Sequence, residues 1–257
     1  MKKFLKKTSL FLVTAAMTVS APLMAWALEH DIVILHTNDI HCGINDNIGF
    51  AGLAQIKKDA LARTPNVALV DAGDAIQGAP IGKLSRGLAV VNIMNYLGYD
   101  FCIPGNHEFD YGMDRFKELV PLQRAGYYCA NFVYAGNNKQ VLPGYKIMQY
   151  EDTKVAFVGA STPESLTTST PTFFQNEKGK YIYSFCEDKT GNKLYKQLQK
   201  NVDKARKEGA DYVFIVGHLG MDGTTPQWSS ESVAKNTQGV DAVIDGHSHE
   251  RFTRMVK

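Results

Sequence analysis

Five apolar runs of strand length each end in a short polar island, and this pattern limits the fold more than any other feature of the chain. The islands are Asp39-Ile40-His41, Gly73-Asp74, Gly105-Asn106-His107-Glu108, Gly217-His218 and Gly246-His247-Ser248-His249. Oxygen and imidazole donors carried at successive strand ends converge when those ends share one rim, as a two-metal hydrolytic centre requires. Five of the seven histidines fall in the islands; His30 and His36 do not, and no role is assigned to them.

The stretches between the islands predict alternating strands and helices. Residues 31–36, 66–70, 100–103 and 127–131 read as buried strands. Between them, residues 51–63, 88–97 and 113–122 carry apolar side chains at helical spacing, with Gly98 stopping the second helix. This rhythm predicts an α/β fold with a largely parallel sheet. Residues 145–150 and 154–158 break it as an antiparallel hairpin around Glu151-Asp152-Thr153. Residues 161–180, rich in Thr, Ser, Pro and Gly, read as an irregular connection, either a lid over the site or a solvated crossing. Residues 189–208 form a strongly amphipathic helix with a solvated lysine-rich face, and residues 212–216 and 240–244 are short buried strands.

Residues 1–27 read as a signal peptide: Lys2, Lys3, Lys6 and Lys7 precede an apolar stretch and the small-residue pattern Ala25-Trp26-Ala27. The apolar core falls short of the roughly 20 residues of a membrane span. The segment predicts a bacterial periplasmic or secreted protein whose mature part, residues 28–257, forms one catalytic domain with no stable membrane insertion. That part has 24 basic against 26 acidic residues and no basic cluster, which argues against a nucleic-acid polymer as partner. Its four cysteines are too few for a disulfide framework. Cys102 and Cys129 could pair or remain buried thiols, and Cys42 is a weak ligand candidate beside Asp39 and His41.

Asp39 and His41 stand two residues apart, so both side chains can face one ion. Asp74 follows a glycine that lets the backbone bend, and its carboxylate could bridge two cations. Asp71 competes for that part but lies within the strand. Asn106 offers a neutral oxygen. His107 can then remain unligated and titratable as a general acid, with Asp110 holding its other ring nitrogen. Glu108 is expected to be structural. His218, His247 and His249 supply imidazoles, the last two at an alternate spacing that puts both rings on one side.

Taken in order, the islands resemble the calcineurin-like metallophosphoesterases. Thr37-Asn38-Asp39-Ile40-His41 and the run from Gly105-Asn106-His107-Glu108 through Phe109-Asp110-Tyr111-Gly112 resemble the bacterial secreted 5′-nucleotidase branch. The resemblance implies a two-sheet β-sandwich flanked by helices, four layers in the order αββα, with its last strands absent from this chain. It implies one metal on Asp39, His41, Asp74 and His249 and a second on Asp74, Asn106, His218 and His247. The ions would be zinc, manganese or iron, with hydroxide between them attacking phosphorus. It further implies that Asn106 and His107 meet the substrate and that His107, oriented by Asp110, protonates the leaving oxygen. Members of that branch continue into a separate nucleoside-binding domain, whereas this chain ends eight residues after His249. The expected activity is hydrolysis of phosphate monoesters such as nucleoside 5′-monophosphates. The alternatives are 2′,3′-cyclic nucleotide phosphodiester hydrolysis, a thiosulfate-handling relative, or a truncated, inactive metal- or partner-binding module.

Overall fold

The computed structural model describes residues 31–221 and 225–256; the expected signal peptide lies outside them. The first half of the chain runs β1 (Val33–Thr37), α1 (Gly49–Leu61), β2 (Val67–Asp71), α2 (Pro80–Ser85), α3 (Leu88–Leu97), β3 (Phe101–Cys102) and α4 (Met113–Leu119). The second half runs β4 (Val133–Tyr134), β5 (Tyr145–Tyr150), β6 (Thr153–Ser161), α5 (Ser165–Thr168), β7 (Tyr183–Ser184), α6 (Asn192–Lys207), β8 (Tyr212–His218), α7 (Ser230–Asn236) and β9 (Ala242–Ile244).

Strands β1, β2 and β3 form one parallel sheet in that order, because each crossover carries helix and must return on the same side. The second sheet has the order β5-β6-β8-β9: the expected hairpin pairs β5 with β6 antiparallel, and β6, β8 and β9 run parallel. A third, two-stranded sheet joins β4 to β7.

Strand periodicity explains how the two main sheets stack. On β6, Val155 and Phe157 face Ala68, Val70 and Phe101 of the first sheet, while Ala156, Val158 and Ala160 face Leu194, Leu198 and Val202 of α6. The Phe101 and Phe157 rings stand 5.7 Å apart across the sandwich. On the other side, Leu53 of α1 and Val91 and Met94 of α3 cover the first sheet together with Leu69. The layers are therefore helix, sheet, sheet, helix. Each fully buried leucine or valine contributes about 2 kcal/mol of apolar burial.

Three expectations change. Residues 127–131 form no strand: only Tyr127 bridges to Cys102. The segment instead crosses between sheets, with Tyr128 N–H donating to Cys102 O at 2.9 Å and Ala130 N–H donating to Gly159 O at 2.8 Å. Helix α2 was not anticipated; Pro80 at its first turn supplies the start signal. The stretch 161–180 contains α5 and a short 3-10 turn; residues 161–166 are buried and pack on the body of the protein, while residues 176–180 are exposed. All four cysteines are buried, unpaired thiols. Cys129 Sγ lies 3.3 Å from both Asn131 Oδ1 and Ser161 Oγ, polar partners that suit a thiol.

Candidate metal centre

Parallel strands put their carboxyl ends on one rim. β1 ends two residues before Asp39, β2 three before Asp74, β8 ends on His218, and β9 ends three before His247. Both sheets meet there: His247 N–H donates to Asp39 Oδ2 at 3.0 Å, and His218 Nδ1 lies 2.8 Å from the carbonyl oxygen of Ala72.

The donors fall into two groups, Asp39 with His41 and His249, and Asp74 with His218 and His247; within each, ligand atoms lie within 4.8 Å of one another. Nε2 of His249 is 3.5 Å from Asp39 Oδ1 and 3.2 Å from His41 Nε2. Nε2 of His218 is 3.0 Å from Asp74 Oδ2 and 3.2 Å from Asn106 Oδ1. Asp74 Oδ2 also lies 3.8 Å from His41 Nε2, so this oxygen stands between the groups.

Backbone carbonyls set the histidine tautomers. Nδ1–H of His218 donates to Ala72 O, and Nδ1–H of His41 donates to Gln77 O at 3.1 Å, which turns both Nε2 lone pairs inward. Two inward imidazole nitrogens 3.2 Å apart, His41 and His249, need a cation or a proton between them. Mixed imidazole and carboxylate donors match zinc, manganese or iron chemistry, so the residues present fit such ions.

The local backbone is unusual. Asp39, His41, Asp74, His247 and His249 all have φ between +46° and +84°, a left-handed conformation uncommon outside glycine that Asp and His adopt more readily than most residues. Two glycines permit the closest approach. A Cβ on Gly73, at φ +88°, would lie 2.6 Å from Gly105 N, and one on Gly105 would lie 2.2 Å from Asp74 Oδ1.

Electrostatics tie the second group together. Burial alone would lower the His218 pKa, but the charge and hydrogen bond of Asp74 push it up to about 10 in the metal-free chain. Asp74 shifts down in return: burial opposes ionisation, and the His218 charge outweighs it. His107 lies just outside, with its Nδ1 2.6 Å from Asp110 Oδ2, and that bond raises its pKa against the effect of burial. The His41 and His107 rings are 5.2 Å apart.

The chain matches the calcineurin-like phosphoesterase family over residues 32–251. It belongs to that family. Calcineurin-like phosphoesterases are metal-dependent hydrolases of phosphoric esters, and the two donor groups sit where such a fold gathers its strand ends. The chain is 28% identical to a snake venom 5′-nucleotidase of Gloydius brevicauda over 93% of its own length and 40% of the relative's. It is 26% identical to the 2′,3′-cyclic-nucleotide 2′-phosphodiesterase/3′-nucleotidase of Haemophilus influenzae, with the same two shares. Among solved structures it superposes on the calcineurin-like phosphoesterase YfkN of Bacillus subtilis with a TM-score of 0.73 and 25% identity, covering 87% of this chain and 74% of that one. The chain thus spans about two fifths of the length of the curated relatives. Among the described residues, no helix is long and apolar enough to cross a membrane.

The nine side chains singled out from the sequence, Asp39, His41, Asp74, Asn106, His107, Asp110, His218, His247 and His249, lie together on this rim. Asp71 does not join them: its carboxylate accepts from Thr37 Oγ1 at 2.7 Å and Gly73 N at 3.1 Å and is buried in the strand. Cys42 is a buried thiol whose pKa burial pushes up to about 11. The sequence reading missed Glu164, whose Oε2 is 3.4 Å from His247 Nε2, and Ser169, whose hydroxyl donates to Asp110 Oδ1 at 2.9 Å. Glu164 lies three residues beyond the end of β6, so the strand-end pattern that marked the islands applies to it as well.

Proposed function

We propose that the chain hydrolyses phosphate monoesters, nucleoside 5′-monophosphates among them, on a pair of divalent ions. The observation that carries this reading is the pair of donor groups linked through Asp74 Oδ2, with His107 beside them. Asp39, His41 and His249 would hold one ion and Asn106, His218 and His247 the other, with Asp74 shared. Bound there, the ions would lower the pKa of the attacking water and offset charge on the phosphoryl oxygens.

The rest of the chemistry belongs to the protein. Asp110 accepts the Nδ1 proton of His107, which leaves Nε2 as the nitrogen that donates to the leaving oxygen. Ser169 holds Asp110 from the other side. Glu164 orients the His247 ring, and Asn38 donates to Asp39 Oδ2 at 2.7 Å, so the ligands on both sides are fixed from behind. The leader-like residues 1–27 support export to a periplasmic or extracellular site, with residues 28–257 as the catalytic domain.

The test is phosphate release from AMP by the purified chain reconstituted with manganese or zinc, beside an EDTA-treated sample. Metal-dependent release is expected. Folded, metal-loaded protein that releases none would leave a binding module. The Haemophilus relative supports a second reading, 2′,3′-cyclic nucleotide hydrolysis, which 2′,3′-cyclic AMP in the same assay decides.

A further inference from the structure

An open cavity of about 660 Å³ borders the rim beside His41 and His107. Its lining includes Gln77 and Gly78, whose backbone abuts His41, and Asp110, which holds His107. Lys83, Arg86, Tyr111 and residues 168–170 complete the lining. The cavity thus opens on the His107 side of the centre, and its volume suits a nucleoside-sized ligand.

The free charge of the cavity is positive. Asp110 also lines the cavity, with Oδ2 held by His107 and Oδ1 by Ser169, and the two cations outweigh its single charge. Among the described residues, neither Lys83 nor Arg86 forms an ion pair. Arg86 is nonetheless held in place: its Nη2 donates to Tyr111 O at 2.9 Å, and Arg115 donates to the carbonyls of Ser85 and Arg86 at 3.1 and 3.0 Å. A guanidinium tethered to Tyr111 O and an unpaired ammonium in the same lining favour an anion, phosphate above all.

From this geometry we infer that the cavity seats a second anionic group, carried by the leaving group of the substrate, on Lys83 and Arg86. The preferred substrates are then phosphate esters whose leaving group is itself a phosphate or carboxylate compound, not a neutral alcohol. The inference rests on the hydrolase reading for its chemistry: water adds to phosphorus, the P–O ester bond breaks, and the anionic leaving group takes the proton at its oxygen.

Two measurements test it. In the metal-reconstituted chain, kcat/KM for adenosine 3′,5′-bisphosphate and ADP is compared with that for AMP. In the EDTA-stripped chain, binding of 3′-AMP is compared with binding of adenosine, which reads the cavity without metal or turnover. At least one doubly anionic substrate is expected to exceed AMP by about tenfold or more, and 3′-AMP to bind at least tenfold tighter than adenosine. Lys83→Gln and Arg86→Gln should each reduce both differences while leaving AMP hydrolysis unchanged; among the described residues the Lys83 side chain makes no hydrogen bond whose loss would disturb the fold. Equal binding of 3′-AMP and adenosine, or a preference that survives both substitutions, overturns the inference. Absence of turnover with every substrate overturns the hydrolase reading instead, and the binding comparison still decides the cavity.

Discussion

Glu108 Oε2 accepts the backbone N–H of Asp74 at 2.8 Å and that of Gly105 at 2.6 Å, so one carboxylate oxygen fixes both loops that carry the shared aspartate and Asn106. Its other oxygen accepts from Ala75 and Ile76 at 2.8 and 3.3 Å. Burial and the nearby Asp74 charge raise the Glu108 pKa, and the four donors work against that rise. In Glu108→Gln an NH2 group must face backbone N–H groups. The expected cost is about 2 kcal/mol of unfolding free energy, with weaker metal retention, read by urea unfolding and by metal content after dialysis. A variant as stable and as metal-loaded as the parent would contradict this clamp.

Gly105→Ala probes the same junction by volume instead of charge. The new methyl group would stand 2.2 Å from Asp74 Oδ1, so the shared carboxylate must move. Gly105 N–H also donates to the clamp residue Glu108, three residues on, which resists that movement. Metal content measured by elemental analysis is expected to fall by more than half, with the far-ultraviolet spectrum unchanged.

His107 and Asp74 should separate metal binding from turnover. His107→Ala removes a ring that stands edge-on to His41 but belongs to neither donor group, so metal content stays and phosphate release from AMP falls by about 10²- to 10⁴-fold. Asp74→Ala removes the oxygen shared by His41 and His218, so metal content itself is lost. Equal metal loss in the two variants rules out the role assigned to His107.

How much of this was legible in the sequence depends on what each residue's signal was. Strand ends carrying Asp, Asn and His could be read because the islands sit at fixed places after apolar runs, and β2 and β8 follow that pattern within a residue or two. The helix at residues 88–97 was read to its ends, since Gly98 at φ +69° closes it as a left-handed cap. Tyr127 to Asn131 misled because burial there comes from crossing between two sheets, which leaves an apolar stretch with no ladder partner along most of its length. Glu164 and Ser169 were hidden in a segment whose Thr, Ser and Pro content reads as loop; their tertiary partners, His247 and Asp110, are 83 and 59 residues away. The cavity cations Lys83 and Arg86 carry no motif at all.

Asp188 links stability to pH. Its carboxylate accepts from Lys193 N and Thr190 N at 2.9 Å each, ahead of α6. Slight burial would raise its pKa, but these backbone donors outweigh burial and lower it. A depressed folded pKa stabilises the protein above the unfolded value near about pH 4 and is lost as pH falls through the folded value. Asp188→Ala is therefore expected to cost about 1 kcal/mol at pH 7, with the difference from the parent shrinking in urea unfolding near about pH 3.

Phe109 connects the core to the proton donor. It closes the 3-10 turn that begins at His107, is fully buried, and meets the rings of Phe116, Phe132, Phe174 and Phe185 at centroid distances of 4.7 to 5.7 Å. Phe174 belongs to the stretch that also carries Ser169, so one ring braces both partners of the His107–Asp110–Ser169 chain. Phe109→Ala should cost about 3 to 5 kcal/mol and endanger folding. Phe109→Leu keeps most of the volume and should cost about 1.5 kcal/mol or less, while the turn beneath His107 loses its aromatic contacts. Because the donor loops are clamped by the Glu108 carboxylate, which this substitution keeps, metal content of the leucine variant should match the parent while kcat falls. A fall in metal content with kcat per bound metal unchanged would show instead that the ring cluster supports the donor groups and not the His107 turn.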